Sequence, residues 1–146
     1  MNDPLVVACV QAEPVVLDRE ASIEKLAVLT AEAAGNGASL VVFPEAFLPA
    51  YPSSAWAKAL AGWDDPRAKA AFALLARESV AVPGPGEGRI GEVAREHGAI
   101  VATGVTETDA ETNGTLYNTL LVHDEHGSLV LKHRKQVSEP VGHHTL

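Results

Sequence analysis

An α/β fold built on a parallel strand pair is predicted, on three observations. Leu5-Val6-Val7-Ala8-Cys9-Val10 and Leu40-Val41-Val42-Phe43 are short, continuously apolar runs rich in β-branched residues, the pattern of strands covered on both faces. Between them, Ile23, Leu26, Ala27, Thr30, Ala33 and Ala34 recur at helical spacing. Strand, helix and strand in that order form a βαβ unit, whose strands run parallel.

The first run is strand-like from Leu5, and Cys9 within it is expected to be buried and inert, its thiol pKa raised by the apolar setting. Asp18 stands where a helix N-cap belongs and Gly35-Asn36-Gly37 makes a C-terminal stop, which frames the first helix. Pro44 cuts off the second strand. Residues 66–78, alanine-rich and dotted with charge, form a second helix. Pro83-Gly84-Pro85-Gly86 breaks the chain, and Ile90 to His97 forms a third amphipathic helix ended by Gly98. Residues 99–105 read as a strand and 106–114 as a polar turn. Leu116 to His123 and Ser128 to Lys132 then form a hairpin about Asp124-Glu125-His126-Gly127.

Composition narrows the function classes. The 146 residues are 47% hydrophobic and 21% charged, in the range of a globular domain able to bury a core. A net charge of -8 argues against nucleic acid or an anionic membrane as partner, since both are bound through basic patches. A single cysteine excludes an internal disulfide. No signal-like N-terminus and no membrane-spanning apolar stretch is evident, so a cytoplasmic location is expected.

Two stretches could carry chemistry. In Phe43-Pro44-Glu45-Ala46-Phe47-Leu48-Pro49 a carboxylate follows a buried strand among prolines and aromatic rings. Strand C-termini are where α/β sheets hold ligands, and desolvation there would raise the Glu45 pKa toward that of a general base. A surface glutamate in a proline-rich loop is the plainer alternative. In Lys132-His133-Arg134-Lys135 a cation at a strand end could stabilise an anionic intermediate; a solvated basic patch is the alternative.

Together these stretches resemble the nitrilase superfamily, whose catalytic triad is Glu, Lys and Cys. Phe43-Pro44-Glu45 is similar to its F-P-E segment, His133-Arg134-Lys135 to its H-R-K segment, and Gly114-Thr115-Leu116-Tyr117-Asn118-Thr119 to its G-x-x-Y-N-[ST] strand start. Val7-Ala8-Cys9-Val10-Gln11-Ala12 resembles its first strand, while Glu45 to Pro52 and the segments Ala76 to Val80 and Val82-Pro83-Gly84 look like the true nitrilase branch. The resemblance covers residues 5–135 in order.

It implies an α-β-β-α sandwich of the carbon–nitrogen hydrolase type, here incomplete as an N-terminal half over residues 1–135, with 136–146 a divergent tail. It implies conversion of a nitrile to a carboxylic acid and ammonia, with Glu45 as general base and Lys135 stabilising the tetrahedral species. Both residues are expected on one side of one sheet. Tyr51 and Trp56 are substrate-pocket candidates, against core packing. No metal or organic cofactor is implied, and the full-length form is expected to be a homo-oligomer acting on a small-molecule nitrile. Cys9, mid-strand, does not match the nucleophile, which in the family follows a later strand. In the tail, Glu139 matches no second functional glutamate, and adjacent His143 and His144 would point to opposite faces of an extended strand, which makes a poor metal pair.

Two rival readings remain for comparison. One is a truncated, catalytically inactive fragment that acts at most as a binding or assembly partner. The other, a nucleotide-binding βαβ module, lacks a glycine-rich phosphate loop, since Gln11-Ala12-Glu13-Pro14 stands there. Half of a two-sheet sandwich would supply strands of both sheets without all of their partners. Val41, Phe43 and Val101 are therefore expected to be partly uncovered, and the isolated chain to aggregate or pair.

Overall fold

The computed structural model describes residues 5–50, 56, 58–59, 62, 64–109, 111–112 and 114–135. Tyr51 and the tail 136–146, with Glu139, His143 and His144, lie outside the described residues.

The chain runs β1 (Val7–Cys9), α1 (Arg19–Gly35), β2 (Leu40–Val42), α2 (Pro66–Glu78), β3 (Val80–Ala81), α3 (Pro85–His97), β4 (Ile100–Thr108), β5 (Leu116–His123) and β6 (Leu129–Arg134). Every described strand joins one mixed sheet in the order β1-β2-β4-β5-β6, with β3 paired to the far end of β4. β1, β2 and β4 are parallel; β4, β5 and β6 form an antiparallel meander. The expectation of strands from two sheets is thus corrected: among the described residues they build one.

Local chemistry sets the helix ends. The Asp18 carboxylate accepts from Ala21 N at 3.0 Å, and Asn36 closes α1. Asp65 caps α2 through Arg67 N at 2.9 Å, with Pro66 just inside. Helix α3 begins at Pro85, earlier than the expected Ile90, because proline inside the first turn loses no hydrogen bond. Gly98 ends it in the left-handed region at φ 59°.

Strand register sorts the side chains onto two faces. On one lie Val41, Val101, Val105 and Leu121, packed with Ile23 and Leu26 of α1 and Ile90, Val93 and Ala94 of α3. His123 shares this face, its Nε2 2.8 Å from Glu87 Oε1 in the first turn of α3. Val41, Phe43 and Val101 are therefore buried, not partly uncovered: the helices seal the valines, and the Phe47 ring packs against Phe43 at 5.1 Å.

The other face carries the row Cys9, Val42, Ala102, Val122 and Leu131. No described helix buries its margins, where Val7, Leu120 and Leu131 are exposed. Cys9 is exposed as well, which corrects the expectation that it is buried. Its strand is the sheet edge, and only one of its faces is covered. Residues 106–108, expected in a turn, continue β4, and Glu107 and Thr108 pair with β3. Among the described residues no helix is long and apolar enough to cross a membrane.

Candidate active site

Glu45 follows β2 on a turn that passes directly over β4. The passage is close because Gly104 has no side chain: a Cβ there would stand 2.6 Å from Pro44 O and Ala46 N, and 2.7 Å from Glu45 Cα. The next residue, Ala46, adopts φ 47°, a left-handed conformation that costs an L-residue on the order of 1 kcal/mol. Strain beside a chemically competent side chain is common where surrounding structure fixes a site. Leu48 then bridges to Val105 and anchors the far side of the turn.

Lys135 immediately follows β6, held by its backbone N–H donating to Asn118 O at 2.8 Å. Its ammonium donates to Glu45 Oε1 at 2.9 Å, across 90 positions of sequence. Asn118 on β5 donates from Nδ2 to the same oxygen at 2.6 Å. Among the described residues both donors converge on Oε1, and Oε2 accepts no hydrogen bond. The three side chains border a hollow of about 270 Å³ completed by Phe43, Gly104, Thr119, Leu120 and His133.

The electrostatics differ from expectation. The Lys135 hydrogen bond holds the Glu45 carboxyl below its ordinary 4.5, outweighing the upward push of burial, with Asn118 adding to the lowering. Desolvation loses because the Glu45 side chain is still 45% exposed and Lys135 40%. Glu45 is a carboxylate held charged by a cation, not one pushed toward neutrality.

Trp56 lies elsewhere. It lines a separate hollow with Leu17, Ala59, Ala71 and Leu75. Cys9 lines a third, along β1 and α1, that shares no residue with the Glu45 hollow. Among the described residues no three His, Cys, Asp or Glu side chains gather to hold a metal ion. Two residues of consequence do not stand out from sequence. Asn118 sits inside a motif that assigns it no role; only its hydrogen bond reveals one. Glu107 looks like part of a polar turn, although Thr103, Val105 and Glu107 continue a strand alternation that could have extended β4 through it.

The carbon-nitrogen hydrolase family model matches residues 6–142, so the chain belongs to that family. Within it, the chain is 41% identical over 131 residues to an aliphatic nitrilase of Rhodococcus rhodochrous, covering 88% of this chain and 33% of that protein. It is 42% identical over 128 residues to an aliphatic nitrilase of Sinorhizobium fredii, covering 88% of this chain and 40% of that one. Among solved structures, a cysteine-to-alanine mutant of an amidase of the nitrilase superfamily from Nesterenkonia AN1 superposes with a TM-score of 0.64 at 20% identity, over 94% of this chain and 45% of that one. The chain thus spans less than half the length of these relatives. The family match also runs past Lys135 into the segment read from sequence as a divergent tail.

Proposed function

We propose that this chain supplies the Glu–Lys portion of a nitrilase that converts a small nitrile to a carboxylic acid and ammonia. The observation that carries the reading is the Lys135–Asn118–Glu45 convergence on one carboxylate oxygen beside an open hollow. In the reaction, a cysteine thiolate adds to the nitrile carbon and the nitrogen is protonated, giving a thioimidate. Water adds next, ammonia leaves with the proton it needs, and a second water hydrolyses the thioester to acid and thiol. Glu45 takes the proton from thiol or water through Oε2, while Lys135 and Asn118 hold Oε1 in place. The Lys135 ammonium, already facing the hollow, stabilises the charge that builds on the tetrahedral species. The division of labour is consistent with the depressed Glu45 pKa, which keeps the base ionised.

The chain taken alone is catalytically inactive in this reading, because Cys9 lies off the hollow and the triad lacks its thiolate. It then acts at most as a binding or assembly partner, and the open apolar sheet face favours association into a homo-oligomer. The same reading places the enzyme in the cytoplasm, without metal or organic cofactor.

A chimera tests it: this chain replaces the matching third of the Rhodococcus rhodochrous aliphatic nitrilase, and ammonia release from an aliphatic nitrile is followed. Activity in the chimera should fall by about 10²–10⁴-fold in Glu45→Gln, the span typical of general acid–base catalysis. Hydrolysis undiminished in Glu45→Gln and Lys135→Met would overturn the assignment. So would ammonia release by the 146-residue chain alone that Cys9→Ala abolishes.

A further inference from the structure

Glu107 has no part in the chemistry above, yet its side chain is fully buried and accepts four hydrogen bonds. Lys132 Nζ donates to Oε1 at 2.6 Å and Arg134 Nη2 to Oε1 at 2.7 Å. Arg134 Nε donates to Oε2 at 3.1 Å and Thr119 Oγ1 to Oε2 at 2.7 Å. The two-pronged Arg134 contact fixes direction as well as distance. The guanidinium is further steadied 4.0 Å over the Tyr117 ring and 3.5 Å from Asp109 Oδ2. Burial pushes the Glu107 carboxyl up, but Arg134, Lys132 and Thr119 together pull it down to about 2.

The placement of this cluster is what matters. Register puts Val105, Thr119 and Arg134 in one row, and Glu107 shares their face. The residues on either side of that row, Asn118 and Lys135, point the other way and hold Glu45. The clamp therefore grips the residue before Lys135 and the residue after Asn118, one step behind both donors.

β6 needs such a grip. Leu129 to Lys132 and His133 are all exposed, so apolar burial does not specify its register, and a bulge at Val122/His123 has already shifted its pairing with β5. A slip of one residue would turn Lys135 away from Glu45 and present Arg134 in its place. Buried ion pairs add little net stability over apolar packing, but they can specify a unique arrangement.

We propose that Glu107 is the positioning residue of the Glu45 site: by holding Lys132, Arg134 and Thr119 on the helix side of the sheet, it aims Lys135 and Asn118 at Glu45 on the other. This rests on the reading of Glu45 and Lys135 as the reactive pair, but its test reads geometry and not turnover.

The test follows the Glu45 side-chain carboxyl by carbon-13 NMR titration in the full chain, with amide spectra reporting the fold. In the unaltered chain the midpoint should lie below the ordinary 4.5. Lys135→Met removes the cation and marks the largest upward shift. Glu107→Gln, similar in shape but uncharged, should recover most of that shift while the amide spectrum stays dispersed, and Glu107→Asp should restore part of the depression. A folded Glu107→Gln chain with an unmoved Glu45 midpoint overturns the proposal. Should Glu107→Gln fail to fold, Lys132→Met, which alters a side chain 31% exposed, decides in its place. A smaller upward shift supports the clamp, and none refutes it. If Glu45→Gln leaves the chimeric nitrilase active, the catalytic reading falls, while the titration still decides whether Glu107 positions Lys135.

Discussion

The two faces of the sheet solve different problems with the same strands. On the helix side, Val41, Val101, Val105 and Leu121 are wholly buried under α1 and α3. On the other, Val7 is 46% exposed, Leu120 38% and Leu131 45%, and the Glu45 hollow opens beside Leu120. Each β5 and β6 residue belongs to one face or the other, so neighbours in sequence serve unlike ends. Thr119 and Arg134 lock the strands through Glu107; Asn118 and Lys135 hold a carboxylate in partial contact with water. Stability is thus concentrated on one face and the candidate site on the other, and the two are separated by the thickness of a backbone.

Removing the lock should have the largest effect. Glu107→Ala leaves Lys132 and Arg134 without their shared partner and should cost about 3–5 kcal/mol in urea unfolding. The same cluster gives the chain an acid limit. The folded Glu107 carboxyl sits at about 2, below its ordinary 4.5. Its contribution, on the order of 3 kcal/mol, is therefore complete above pH 4.5, declines as pH falls below that, and is gone below about 2. In Glu107→Gln the acid side of the stability–pH curve should flatten in that window; an unchanged curve would mean the carboxylate is not held as described.

Leu26→Ala, which empties a fully buried site on the helix side, should cost about 2–5 kcal/mol by denaturant midpoint. Gly104→Ala acts between the faces. Its Cβ would press on the backbone at Pro44 to Ala46, and the strain should cost about 1–3 kcal/mol. Because the turn must lift, the Glu45 titration midpoint should also rise as the Lys135 contact lengthens; a midpoint that stays depressed would show that the turn accommodates the methyl group. Leu131→Ser on the open face should change stability by less than about 0.5 kcal/mol. It should instead reduce self-association in size-exclusion chromatography. A large loss of stability from Leu131→Ser would break the contrast between the faces.

Much of the fold is legible in short stretches of sequence. The Asp18 cap and the Gly35-Asn36-Gly37 stop bracket α1, residues 66–78 form α2 as read, and Leu116 to His123 form β5. Glu45 and Lys135 stand out by their neighbours. What misleads is context. β1 looks doubly buried from its apolar run, but it lies at the sheet edge, so Cys9 is exposed. Glu45 looks like a desolvated base, but a lysine 90 positions away reverses the shift. Glu107 looks like turn polarity, but it meets Lys132 and Arg134 across 25 and 27 positions.

Caps, helical spacing and strand runs act over a few residues, so the order of amino acids alone sets where most elements begin and end and which motifs the chain carries. Burial, charge state and strand register depend on groups far apart in the chain. It takes the assembled sheet to settle which face α1 and α3 seal, that Lys135 and Asn118 share one oxygen of Glu45, and that Glu107 stands behind them. A carboxylate's pKa depends on the nearest cation and on the water left around it, and neither is a property of its own sequence neighbours.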